Sequence, residues 1–294
     1  MIDDRRYLEL LDARARRPEL IGQAAAARRR RPLLAEDGRL CLVAADHPAR
    51  AAVKVGSQPL AMARRRDLLG RLLVALAQPG VDGVLATPDI IEDLLLLDAL
   101  HGRIAIGSMN RGGLPGSAWE LDDRFTAYDA DAIASAGLDG GKMLLRLALN
   151  DPGSADTLEG CARAVTRLSA IGLVAMVEPL PACREASGTV RISKDPDELI
   201  RLIGVASGLG ASSAYTWLKV HVTEDMERVL EATTLPTLLL GGDPGDRQAE
   251  VFEEWKHALR IPQVRGLVAG RALLYPPDGD VAGAVAAAAR LVHG

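Results

Sequence analysis

Eight short apolar runs, helical patterns between them and no linker-like break together predict a single (β/α)₈ barrel over residues 36–294, preceded by an N-terminal helical extension over 1–35. The runs are 40–46, 81–87, 103–109, 139–147, 172–179, 215–222, 237–242 and 266–271. They are continuously apolar rather than alternating, as suits parallel strands covered on both faces. A doubly wound open sheet is the competing arrangement. It usually carries a glycine loop after its first strand, where this chain reads DHPAR (46–50).

Helical spacing marks the segments between. Residues 4–30 read as a helix before the first strand. Residues 59–78 and 88–100 follow, the latter with Pro88 at its first helical position. Segments 154–172 and 195–210 end in glycine, a frequent helix stop. Segment 223–233 opens on Thr223 and acidic residues, the pattern of a capped first turn. Helices over 246–259 and 281–293 complete the series.

Composition narrows the class. The chain has 294 residues, 48% of them hydrophobic and 25% charged, with Lys+Arg 35 against Asp+Glu 39. That balance offers no basic excess for nucleic acid. The arginine-dense stretches at 27–32 and 63–67 read as solvated helix faces. Cys41, Cys161 and Cys183 are far apart, and no Cys or His pair has metal-ligand spacing, so neither a disulfide framework nor a metal site is expected. The opening MIDDRRYLEL lacks an apolar signal core, and no apolar run approaches the roughly 20 residues of a membrane span. The expected setting is the cytoplasm, without a membrane partner.

Barrels of this kind carry their chemistry at the C-terminal ends of the strands. Polar residues late in a strand therefore become candidates. Lys219, in WLKV on the sixth run, shares a face with Trp217 and His221. Buried there, its amine would be pressed towards the neutral form that attacks a carbonyl; alternatively it pairs with a carboxylate or snorkels outward. Lys142 and Arg146 share a face of the fourth run, GGKMLLRL (140–147). Lys142 is placed to disfavour a second charge on Lys219 or to bind an anion, and Arg146 to bind an anion or form a structural ion pair. Asp46 ends the first run, with His47 pointing the other way, and Glu178 closes the fifth. Either carboxylate suits proton transfer or the holding of a lysine. Gly241, Gly242 and Gly270 end the last two runs, and Arg271 adds a cation where barrels often bind phosphate. The glycine-rich 109–119 reads as a mobile loop beside the mouth, and 183–193 as a lid.

The motifs DHPAR, GGKMLLRL, WLKV, LLLGG (238–242) and AGRALLYP (269–276) resemble the class I, Schiff-base aldolase family of (β/α)₈ barrels of the archaeal, DhnA type. More narrowly, the chain is similar to an actinobacterial subgroup of deoxyribose-phosphate-aldolase-like barrels associated with inositol or related sugar catabolism. The resemblance implies that Lys219 forms the Schiff base, that Asp46 shapes the site, and that Gly241, Gly242, Gly270 and Arg271 bind a substrate phosphate. It implies a metal-independent lyase with no cofactor, a phosphorylated carbonyl substrate and a homo-oligomer. Two positions depart from the family pattern: Pro48 stands where glycine usually follows Asp-His, and Ala272 where asparagine commonly follows Gly-Arg. Other lysine-dependent transferase or isomerase chemistry, or a barrel that only binds a sugar phosphate, are the alternatives.

Overall fold

Strand alternation sorts the side chains of each apolar run onto two faces, and two faces need two separate cores. The structure, a computed structural model, describes residues 2–243, 245 and 247–294. Its strands are β1 (Leu40–Ala44), β2 (Gly83–Ala86), β3 (Ile104–Ser108), β4 (Gly140–Leu147), β5 (Val174–Arg184), β6 (Val190–Ile192), β7 (Thr216–His221), β8 (Thr237–Leu240) and β9 (Val264–Ala269). All except β6 pair in parallel in the order β1-β2-β3-β4-β5-β7-β8-β9, and β9 returns to β1. The sheet is a closed eight-stranded barrel with helices around it.

The helices are α1 (Asp4–Arg16), α2 (Glu19–Ala27), α3 (Arg65–Leu76), α4 (Pro88–Leu96), α5 (Ala130–Ser135), α6 (Gly153–Ala170), α7 (Pro196–Ser207), α8 (Met226–Leu230), α9 (Gln248–Ala258), α10 (Arg271–Leu274) and α11 (Val281–His293). The single helix expected over 4–30 is two, because Pro18 has no N–H to continue the first. The helix expected from 59 starts at Arg65, since the amide of Met62 is held by the carbonyl of Val53 in a 3₁₀ turn. Thr223 does not cap α8. Asp225 is left-handed at φ 55, and the Thr223 hydroxyl donates to the carbonyl of Lys194 instead. Among the described residues no helix is long and apolar enough to cross a membrane.

Leu40, Leu42, Leu85, Ile104, Ile106, Val174, Met176, Trp217, Leu238 and Val268 fill the barrel interior, with Leu33 and Leu34 packed against them. The intervening residues, such as Cys41, Val43, Ala105, Met143, Leu145, Val177, Leu218, Val220 and Leu267, face the helices. The inward rows of β1, β3, β5 and β7 thus start apolar and run on to Asp46, Ser108, Glu178 and Lys219.

The arginine stretch before β1 is not a solvated helix face. It runs beneath the barrel, where carboxylates precede two strands. Asp139 accepts from Arg28 at 3.1 Å and from the Ala105 amide at 2.8 Å, and Arg30 joins it at 3.0 Å. Asp82 repeats the pattern, taking Arg31 at 2.5 Å and the Cys41 amide at 2.7 Å. Each carboxylate anchors the start of a neighbouring strand while a cation compensates its burial. Replacing Asp139 by alanine leaves the buried Arg28 without its carboxylate, its remaining bonds going to the carbonyls of Arg103 and Gly137. A loss of about 3–5 kcal/mol is expected, read as a fall in the urea midpoint with unchanged slope.

Candidate active site

Directly above the apolar layers, five charged groups from five parts of the chain form one buried line. The Arg111 guanidinium donates to Asp46. Asp46 also accepts from Ser108 Oγ at 3.0 Å and from Lys142 Nζ at 3.4 Å. Lys142 goes on to contact Glu178, whose other oxygen accepts from Lys219 Nζ at 3.1 Å. Backbone register makes this contact set possible, for Lys142 pairs with Met176 across β4–β5 and Val177 with Leu218 across β5–β7. Register thus sets Lys142 one inward step before Glu178, a step its long side chain spans, and brings Lys219 beside Glu178.

Three cations face two carboxylates in this line. Burial opposes ionisation of Glu178, but Lys142 and then Lys219 outweigh it and hold the carboxyl at about 2. Asp46 is likewise buried, and Arg111 and Lys142 hold it well below the usual carboxylate range. For Lys142 burial is the largest influence and lowers the ammonium to about 8; Asp46 and Glu178 oppose the shift, while Arg111 and Lys219 add to it. Lys142 is the amine gripped by two carboxylates. Lys219 has one carboxylate partner and the more open side chain, 7% exposed against 2%.

Asp46, Lys142, Glu178 and Lys219 are brought together as their strand positions suggested. Arg146 is not with them. Its guanidinium clasps Asp123 with two bonds of 2.7 and 2.8 Å, lies 3.6 Å from Glu120, and donates to the Gly113 carbonyl at 3.3 Å. That is the ion-pair position rather than an anion contact, because both faces of its fork are occupied by loop groups. The same contacts fasten the segment expected to be a mobile loop. Arg50 also donates to the Gly113 carbonyl at 2.9 Å, and Asn110 exchanges two bonds with the Leu144 backbone. Gly113 is glycine for lack of room, since a Cβ there would lie 2.2 Å from the Glu120 carbonyl. The lid segment is a hairpin of β5 with β6, projecting past the barrel rim.

The glycines after β8 and β9 differ among themselves. Gly241 is set by packing, with Ala269 Cβ 2.8 Å from where its own would be. Gly270 lies against β1, 2.4 Å from the Ala44 carbonyl and 2.7 Å from the His47 ring by the same measure. Gly242 alone has φ +62 and open space before it. Arg271 sits beside this turn, 3.5 Å from Asp243, with Nε buried and without a hydrogen-bond partner among the described residues. Burial lowers its guanidinium while Asp243, Glu178 and Asp46 pull the other way, so it belongs to the same field.

Arg111, which begins the line, and Ser108, which donates to its Asp46, carry no expectation from the sequence. Ser108 ends β3 on its inward row, and the strand-end rule could have found it. Arg111 belongs to the glycine-rich segment, where nothing local marks it as facing Asp46. His47 lies 3.8 Å from the Asp46 carboxylate, and burial pushes its imidazole down to about 3.

The depressed carboxyl of Glu178 has a measurable consequence. A carboxyl whose folded value lies below its ordinary value stabilises the fold above the ordinary value and loses that contribution on acidification. For Glu178 the loss falls between pH 4.5 and about 2. Over that window Glu178→Gln is expected to take up about one proton fewer on unfolding than the parent, seen as a shallower dependence of unfolding free energy on pH.

The family described as Cgl0159-like matches residues 38–289. A crystal structure of Cgl0159 from Corynebacterium glutamicum is 49% identical and superposes with a TM-score of 0.96, over 100% of this chain and 98% of that one. An archaeal fructose 1,6-bisphosphate aldolase superposes with a TM-score of 0.64 at 18% identity, covering 93% of this chain and 99% of its own. A second archaeal fructose-1,6-bisphosphate aldolase structure, with its catalytic lysine covalently bound to the carbinolamine intermediate of the substrate, gives 0.65 at 18% over 93% and 100%. At that identity the aldolases share the fold with this chain. No protein of curated function matches it. By its sequence match and its near-complete overlap with the corynebacterial structure, the chain belongs to the Cgl0159-like family.

Proposed function

We propose that the chain is a class I aldolase-like lyase that breaks or forms a carbon–carbon bond next to a carbonyl through a Schiff base on Lys219. The observation that carries this reading is the placement of Lys219 inside the closed barrel, at the mouth end of β7, sharing Glu178 with a second lysine. A line with one cation too many lowers its energy when a lysine gives up a proton. Glu178 accepts from Lys219 and holds the amine in place while that proton leaves towards the open mouth. The free amine attacks the substrate carbonyl, water departs, and the resulting iminium draws in the electrons of the breaking bond. Lys142, fixed by Asp46 and Glu178, keeps positive charge beside the oxygen that leaves as water. Arg271 and the open turn at Gly242 suit an anionic tail such as a phosphate; Gly241 and Gly270 shape the wall behind it.

A second reading exchanges the lysines. The amine brought down to about 8 is that of Lys142, and a lowered amine is the better nucleophile. Against it stand the two carboxylates that clamp its nitrogen.

Borohydride reduction separates the readings. The protein is incubated with dihydroxyacetone phosphate, pyruvate and related ketones, reduced, and mapped by mass spectrometry. An adduct on Lys219 is expected, and Lys219→Ala should abolish it and lower turnover on the order of 10³-fold or more. An adduct on Lys142 in place of Lys219 selects the second reading. Absence of any adduct on either lysine across the panel removes Schiff-base chemistry altogether.

A further inference from the structure

Cleavage through an iminium needs a base that the charged line does not supply. The bond that breaks joins the carbon next to the imine to a carbon bearing a hydroxyl, and the hydroxyl proton must go to a nearby acceptor. Glu178, held at about 2 and shared by two lysines, is a weak base. Asp46 is shared among Arg111, Ser108 and Lys142. Both sit at the level of the lysine nitrogens rather than beyond it.

The inward row of β7 continues past them. Trp217 lies in the apolar layer, Lys219 in the charged layer and His221 next towards the mouth. A strand advances about 3.3 Å per residue, so the His221 backbone lies about 7 Å beyond that of Lys219 along the same row, towards the mouth. It is 8% exposed, and among the described residues neither of its ring nitrogens has a hydrogen-bond partner. Buried polar groups normally find partners, so a side chain with two open nitrogens on this row is placed for something else. Burial holds the ring neutral, down to about 4; Lys194 acts in the same direction and Glu178 against it. Lys194 is brought near by the Thr223 hydroxyl, which donates to its carbonyl.

We propose that His221 is the general base that takes the proton of the substrate's β-hydroxyl during carbon–carbon cleavage, and returns it during condensation. The proposal rests on the Lys219 reading. The hydroxyl O–H bond breaks, its proton goes to an imidazole nitrogen and its electron pair becomes the new carbonyl π bond. The carbon–carbon pair becomes the double bond of the enamine, and the iminium π pair returns to Lys219 nitrogen. No oxidant or further reactant is involved. The assignment fixes a substrate class: a ketone, or its phosphate ester, with a hydroxyl two carbons from the carbonyl carbon.

The test separates base catalysis from imine formation. His221→Gln and His221→Asn keep a polar side chain without a basic nitrogen. With a panel of β-hydroxy ketose phosphates and the matching donor ketones, both variants are expected to lose about 10²- to 10⁴-fold in cleavage. They should still give the borohydride-trapped Lys219 adduct and still exchange the donor's α-hydrogens with deuterated water. Cleavage within threefold of the parent, on the order of random scatter in such rates, overturns the proposal. So does loss of adduct and exchange in step with cleavage by a folded variant. If the parent itself gives no adduct with any probe, the Lys219 reading fails first, and that result is distinct. Should both variants lose their thermal transition, the parent alone decides: cleavage must show an acid limb that donor exchange lacks, and parallel profiles overturn the assignment.

Discussion

A surplus of one buried positive charge organises the mouth of this barrel. Arg111, Lys142 and Lys219 meet Asp46 and Glu178 in a line that alternates in sign and begins and ends on a cation. Removing charges from water is costly, and alternation returns part of that cost at every contact. It cannot return all of it while the count is uneven. Two outcomes relieve the imbalance: an amine gives up its proton, or an anion arrives. Both are what the proposed lysine-dependent site for a phosphorylated carbonyl would require of its charges.

The line depends on the layers beneath it. Leucine, isoleucine, valine and tryptophan side chains close the interior, so the charged residues rest on an apolar floor with water reaching them only from the mouth. Lateral order comes from strand register. The overrun of β5 past Glu178 into a hairpin with β6 adds a wall on one side of the opening, and the bonds from Arg50, Arg146 and Asn110 stiffen the segment after β3 on another. Lys142, Glu178 and Lys219 thus come from regular strands, while Asp46 and Arg111 follow β1 and β3 on segments fixed by hydrogen bonds.

Much of this was legible in the sequence, and the exceptions have physical causes. Period and composition exposed the eight strands, and the strand-end rule then picked out Asp46, Lys142, Glu178 and Lys219 because those positions face inward by alternation. Arg146 obeys the same alternation, yet it is claimed by Asp123, a residue whose approach depends on the path of a loop. Arg28, Arg30 and Arg31 depart from the expected solvated face for a related reason. Their carboxylates, Asp82 and Asp139, lie 51 to 111 residues away, and no local pattern connects them. Helix α5, six residues held by Asp129, is too short for a period to register. Glycine was ambiguous from sequence because wall contact and a left-handed turn select the same residue: Gly241 and Gly270 proved to be the first case, Gly242 the second.

Asp82 joins more than the arm and the first strand. The ring of His293, at the end of the last helix, lies 3.3 Å from the same carboxylate that holds Arg31, and also contacts Asp37. Segments near a chain end are ordinarily where local opening starts, each fraying without regard to the other. Here the arm before β1 and the closing helix α11 meet at one buried anion. Peeling either away strips Asp82 of a cationic or ring partner and loosens the other's anchor. The arm before β1 and helix α11 thus share one anchor at Asp82, beside the arm's own hold on Asp139.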